Sequence, residues 1–146
     1  MKVSNKPLNL IIRKEFAEQI IDGSKKYELR ELGSNLGHKM FDGVANFANA
    51  IKYETIRFQL GYTKKYILVE NKSTLILNFN EMMRLPESAL TSDDAYNNPD
   101  NYKEERRLSE SLGFSDDYLS TVSESDKDDL FFVVFSLGEV KEVCID

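Results

Sequence analysis

An apolar run near the end of the chain, Leu130 to Leu137 (LFFVVFSL), constrains the fold more than any other feature of the sequence. It is apolar on both faces, the pattern of a central strand in a sheet. Gly138 follows as a break, and Val140 to Ile145 reads as a last strand. Earlier segments supply partners. Leu8 to Ile12 (LNLII) is short, apolar and β-branched, and reads as a buried strand. Lys25 to Glu31 alternates, with Tyr27 and Leu29 predicted inward and Lys26, Glu28 and Arg30 on the opposite face. Tyr53 to Leu60 alternates as well, with Ile56, Phe58 and Leu60 inward, until Gly61 ends it. Tyr66 to Glu70 and Thr74 to Asn78 read as two strands joined by a turn at Asn71-Lys72-Ser73.

One helix is clear. From Lys14 to Asp22 the residues Phe16, Ala17, Ile20 and Ile21 share a face, and Gly23 stands where a helix end favours positive φ. Leu32 to Ala50 reads either as a short helix about Phe41 to Ala48 or as a packed loop.

At 146 residues the chain is predicted to be a single domain, 1–146, large enough to bury a core without disulfides or metal. Cys144 and His38 are its only cysteine and histidine, which excludes a disulfide framework and most zinc and Ser-His-Asp schemes. Both read as structural, a loop histidine and a small strand hydrophobe. The net charge is −6, unevenly placed. Glu87 to Asp129 holds 13 acidic and 4 basic residues, whereas the remainder holds 12 acidic and 15 basic.

The acidic segment therefore reads as an insertion at about 86–129 on a mildly basic β scaffold, too short for an independent core. Asn101 to Leu112 and Ser115 to Ser123 are its candidate helices, the second capped by Ser115, with mobile loops between. Its aspartates do not match a calcium loop, and no metal or cofactor is predicted. No apolar run approaches the ~20 residues of a membrane-spanning helix, and no secretion signal is evident, so a cytoplasmic protein is expected.

The residues Gly23-Ser24-Lys25-Lys26-Tyr27-Glu28-Leu29-Arg30 match G-x-K-x-x-E-x-R at all four fixed positions, directly after a strand and an amphipathic helix. In this the chain resembles the ASCH family, relatives of the PUA RNA-binding modules. Tyr53-Glu54-Thr55-Ile56-Arg57-Phe58 with Gly61-Tyr62 is similar to a strand in one branch of that family, and Ser136-Leu137-Gly138-Glu139-Val140 to its closing strand pair. The resemblance covers Leu8 to Asn78 and Leu130 to Val143, and omits the acidic segment. It implies an α+β fold, a PUA-like mixed β-barrel with flanking helices and a charged cleft beside the motif.

It also implies a module that binds RNA or a nucleotide-like ligand. The chemistry is consistent: Lys25 offers a point charge to phosphate, Arg30 a planar fork, and Glu28 either an acceptor for a base amine or ribose hydroxyl or a partner that pairs with Arg30 or Arg57 to hold them in place. Arg13 and Arg57 are the auxiliary candidates, and Tyr62 reads as turn packing, with base stacking as the alternative. Some members of the family are hydrolases, including an amidohydrolase acting on acetylated cytidine. These use the motif lysine, matched by Lys25, and a threonine three positions later. Glu28 stands there instead, so a hydrolase reading rests on Lys25 and Glu28 alone. A third reading gives the acidic insertion a protein partner.

Overall fold

The computed structural model describes residues 2–43, 45, 47–114, 116–123, 127 and 129–145. It is an α+β protein built on a five-stranded mixed sheet of order β2-β5-β6-β7-β3, beside a two-stranded sheet of β1 and β4. The strands are β1 (Lys2–Ser4), β2 (Leu8–Ile12), β3 (Tyr27–Glu31), β4 (Ile51–Tyr53), β5 (Thr55–Leu60), β6 (Tyr66–Asn78) and β7 (Phe131–Cys144). β2 and β3 end the larger sheet, and among the described residues no ladder joins them, so the expected closure into a barrel is not made. Period-two alternation is the same in an open sheet as in a closed one; closure depends on pairing between distant edges. No helix is long and apolar enough to cross a membrane, among the described residues.

The chain forms two compact units, one of Met1–Glu28, Gly33–Thr74 and Phe135–Asp146, the other of Leu29–Leu32 and Leu75–Val134. In the first, β2 runs parallel to β5 and β5 antiparallel to β6. The register places Leu8 opposite Ile56, Leu10 opposite Phe58 and Ile12 opposite Leu60, with Val69 and Ile67 next to Ile56 and Phe58. All eight side chains are buried, so the inward set predicted for β5 forms one apolar layer with Leu8, Leu10 and Ile12, while Asn9 and Ile11 of β2, expected to be a buried strand throughout, are exposed. Helix α1 (Lys14–Asp22) buries Ala17 and Ile20 but leaves Phe16 and Ile21 about 40% exposed, a narrower stripe than the sequence suggests. It ends at Gly23, whose φ of 86° lets its N–H reach the Ile20 carbonyl.

Three local expectations are corrected here. The predicted turn at residues 71–73 is absent, because β6 runs unbroken from Tyr66 to Asn78. Asn71 holds the strand: its N–H donates to the Glu54 carbonyl, and its side-chain amide to the Tyr53 carbonyl at 2.8 Å and Thr74 Oγ1 at 2.9 Å. β7 likewise continues through Gly138. The missing side chain there makes room for Glu70: a Cβ would lie 2.0 Å from Glu70 Oε1, which accepts the Glu139 N–H at 3.2 Å. Within residues 32–50, helix α2 (Ser34–Met40) forms earlier than the Phe41–Ala48 alternative, buries Met40 and includes the exposed His38. A 3-10 turn follows at Phe47–Asn49. Positions 44 and 46 lie outside the described residues.

In the second unit the acidic segment is more ordered than its composition suggests. Helix α3 (Phe79–Arg84) starts at a capping box: Asn78 Oδ1 accepts the Glu81 N–H, and Glu81 Oε1 accepts the Asn78 N–H. After a 3-10 turn at Glu87–Leu90 come α4 (Asp93–Asn97), a 3-10 turn at Pro99–Tyr102, α5 (Leu108–Ser111) and α6 (Asp116–Thr121). The helix predicted for residues 101–112 is thus reduced to α5, and the proposed cap at Ser115 lies outside the described residues. Phe79, Met82, Leu85, Ala89, Leu90, Ala95 and Leu108 are all buried, while Asp93, Asp94, Asp100, Glu104, Glu105 and Glu110 are exposed. Residues 79–108 together pack an apolar interior, and the acids of the segment stay outside it.

Glu81 also accepts a hydrogen bond from the Tyr96 hydroxyl, tying α4 to α3. That bond, then burial, then the Glu81 charge raise the Tyr96 hydroxyl above its ordinary value of 10.0. The protonated form is the one the fold favours. Its stabilising contribution is therefore complete below the ordinary value and is lost as the pH rises through the folded value. Tyr96→Phe should reduce stability at neutral pH by about 1 kcal/mol and flatten the loss of stability above pH 10, as read by urea unfolding at several pH values.

Candidate functional site

The motif residues are positioned by the end of α1. Once Gly23 has turned the chain, the Lys25 N–H donates back to the Gln19 carbonyl at 3.1 Å, and the Leu137 N–H to the Lys26 carbonyl at 2.9 Å. These two bonds hold the short connection between helix and strand. The Lys25 side chain then leans along α1: its Nζ lies 5.4 Å from the Phe16 ring centroid and 3.9 Å from Glu28 Oε2. The lysine side chain is 23% exposed and the glutamate 10%.

Here the reading of β3 is corrected. Glu28, predicted to face solvent, is its most buried residue, while Tyr27 and Leu29, predicted to face the core, are half-buried. A one-residue change in which side chain turns inward reverses a strand's faces, and a short edge strand carries too few residues to fix that choice.

Of the other candidates, Arg30 is half-buried on β3 and belongs to the second unit. Arg13 occupies the cap position before α1, with its side chain exposed and its carbonyl accepting from Phe16 and Ala17. Arg57 joins a different group. Its guanidinium carbon lies 4.1 Å from the Tyr66 ring centroid, and the Tyr66 hydroxyl donates to Glu142 Oε1 at 2.5 Å. The Glu142 hydrogen bond, with burial and the charges of Glu142 and Cys144, raises the Tyr66 hydroxyl above its ordinary value of 10.0. The structure thus brings Lys25 and Glu28 together.

Comparison with known proteins returns no matching family model, no matching curated protein and no matching solved structure.

The geometry has to carry the reading. A lysine ammonium on an aromatic face, beside a buried carboxylate, combines an anion-binding charge with a hydrogen-bond acceptor. The 3.9 Å separation exceeds a hydrogen bond, so the ammonium keeps donors for another oxygen. No group of three metal-ligating side chains occurs among the described residues. Tyr62 is 95% exposed and packs no turn. Phe16 and Tyr66 escaped the sequence reading. The first was assigned to the buried helix face, and the second meets Arg57 only through the β5–β6 register, in which Tyr66 pairs with Gln59.

Proposed function

We propose that this protein is an ASCH-like module, with a PUA-like sheet, that binds RNA or a nucleotide-like ligand at Lys25 and Glu28. The observation that supports this most is the meeting of the motif lysine and glutamate at 3.9 Å, with Glu28 buried and Lys25 still reachable. Buried ion pairs contribute little net stability, so a pair kept at this position suits a ligand better than it suits the core. Lys25 contacts phosphate, while Glu28 accepts from an exocyclic amine or a ribose hydroxyl. Arg57, held flat by Tyr66, and the exposed Arg13 supply further contacts to the backbone of a longer RNA.

The test is a titration of the whole chain with a single-stranded RNA oligonucleotide and with cytidine monophosphate, at several salt concentrations. Lys25→Ala should weaken binding by about 1–3 kcal/mol, from roughly fivefold to over a hundredfold, and RNA affinity should fall steeply with salt. Equal affinity in folded Lys25→Ala would overturn the assignment. The same pair also offers a base next to an acid, which favours the hydrolase reading as a second one. Acetate released from acetylated cytidine by the parent chain, and not by Lys25→Ala or Glu28→Gln, would move the site from binding to catalysis.

A further inference from the structure

Two of the four basic residues of the acidic segment lie together. Lys103 and Arg107 line one cleft of about 540 Å³, and Arg84, from the last turn of α3, joins them there. Residues 87–129 hold thirteen acids and four bases, yet this cleft is lined by three cations, Arg84 from outside that range among them, against two acids. Its apolar lining comes from the Tyr102 ring and from Pro99, with the buried Pro86 behind them.

Two acids also line it, and one of them is already engaged. Glu105 Oε2 accepts from the Ser88 hydroxyl and, at 3.3 Å, from the Ser88 N–H. Arg107 is partly engaged, donating from Nη1 to the Met83 carbonyl at 2.8 Å, which sets its guanidinium in the wall. Arg84 and Lys103 are exposed, as is Asp100.

We propose that this cleft binds a small organic anion of the nucleoside-monophosphate class, independently of Lys25 and Glu28. Phosphate lies among Arg84, Lys103 and Arg107, where a planar fork and a mobile ammonium complement its oxygens. A flat ring lies against Tyr102 and Pro99. Asp100 repels phosphate but accepts from an amino or hydroxyl group, which favours a ligand carrying both over a bare anion. The volume is in the range of pockets that enclose a small molecule, not a polymer.

Adenosine monophosphate serves as the probe, titrated into the full chain carrying Lys25→Ala, so that binding at the other site does not contribute. Amide resonances of residues 84–107 should shift, and Arg84→Ala with Lys103→Ala should weaken binding by about tenfold or more without lowering the unfolding midpoint. Arg107 is left intact because its bond to Met83 serves the fold. Should the double variant unfold early, the single variant Lys103→Gln, read by the same titration, decides the matter. The proposal is overturned if no resonance in 84–107 moves, if the variants bind as tightly as their parent, or if inorganic phosphate binds as tightly as adenosine monophosphate.

Discussion

Replacing Leu108 with alanine should destabilise the helical unit by about 2–5 kcal/mol, the usual cost of emptying a leucine site in a packed core. Leu108 is fully buried, and its N–H donates to the carbonyl of Leu85, itself fully buried, at 2.8 Å. The Glu87 N–H to Arg106 carbonyl bond and the Pro86–Arg107 bridge lie alongside, so residues 85–87 and 106–108 are laced together around this side chain. α5 is four residues long, far below what sustains a helix on its own. Its order therefore depends on burial, and removing the buried group removes the cause. Urea unfolding should show a lower midpoint, and hydrogen exchange should quicken across residues 79–112. Glu110→Ala, exposed on the same short helix, should stay within about 0.5 kcal/mol. A Leu108→Ala midpoint equal to that of Glu110→Ala would mean that this segment has no core of its own.

The parts of the fold legible in the sequence are those whose cause is local. β2 and α1 follow from spacing alone, and the β5 alternation from Ile56 to Leu60 matches the buried face residue for residue. Gly23 and Gly61 adopt positive φ where the patterns stop. What stayed hidden depends on residues far along the chain. Asn71-Lys72-Ser73 has turn composition, but Asn71 bonds to Tyr53 and Glu54, and those partners keep it in a strand. Gly138 looks like a break and is instead the space that Glu70 enters. β1 and β4 are three residues each, and are defined by pairing Lys2 with Ile51 and Ser4 with Tyr53. The apolar interior of residues 79–108 was masked by the charge count of the acidic segment that overlaps it: Met82, Leu85, Ala89, Leu90 and Leu108 recur in short clusters without one sustained period. For the site, the motif spacing brought out Lys25 and Glu28 as a pair, but alternation assigned Glu28 to the wrong side.

That burial makes the stability of Lys25→Met informative about the site. The substitution takes an ammonium from 3.9 Å away from a carboxylate whose side chain is only 10% exposed. Breaking a fully buried pair costs about 3–5 kcal/mol. With the lysine still 23% exposed, water can reach the glutamate, and the expected loss is about 2–3 kcal/mol. Glu28→Leu with Lys25→Met should recover most of it, because a buried pair replaced by apolar groups of similar size is close to neutral. Binding should behave in the opposite way: RNA affinity should fall by about 1–3 kcal/mol in Lys25→Met and stay reduced in the double variant, since a stable fold does not restore the charges that meet phosphate. Unfolding midpoints and binding constants for the parent, both single variants and the double variant complete the cycle, and the two readouts separate. A double variant that is stable and still binds RNA with the parent's affinity would assign the pair to the fold alone and place the ligand elsewhere.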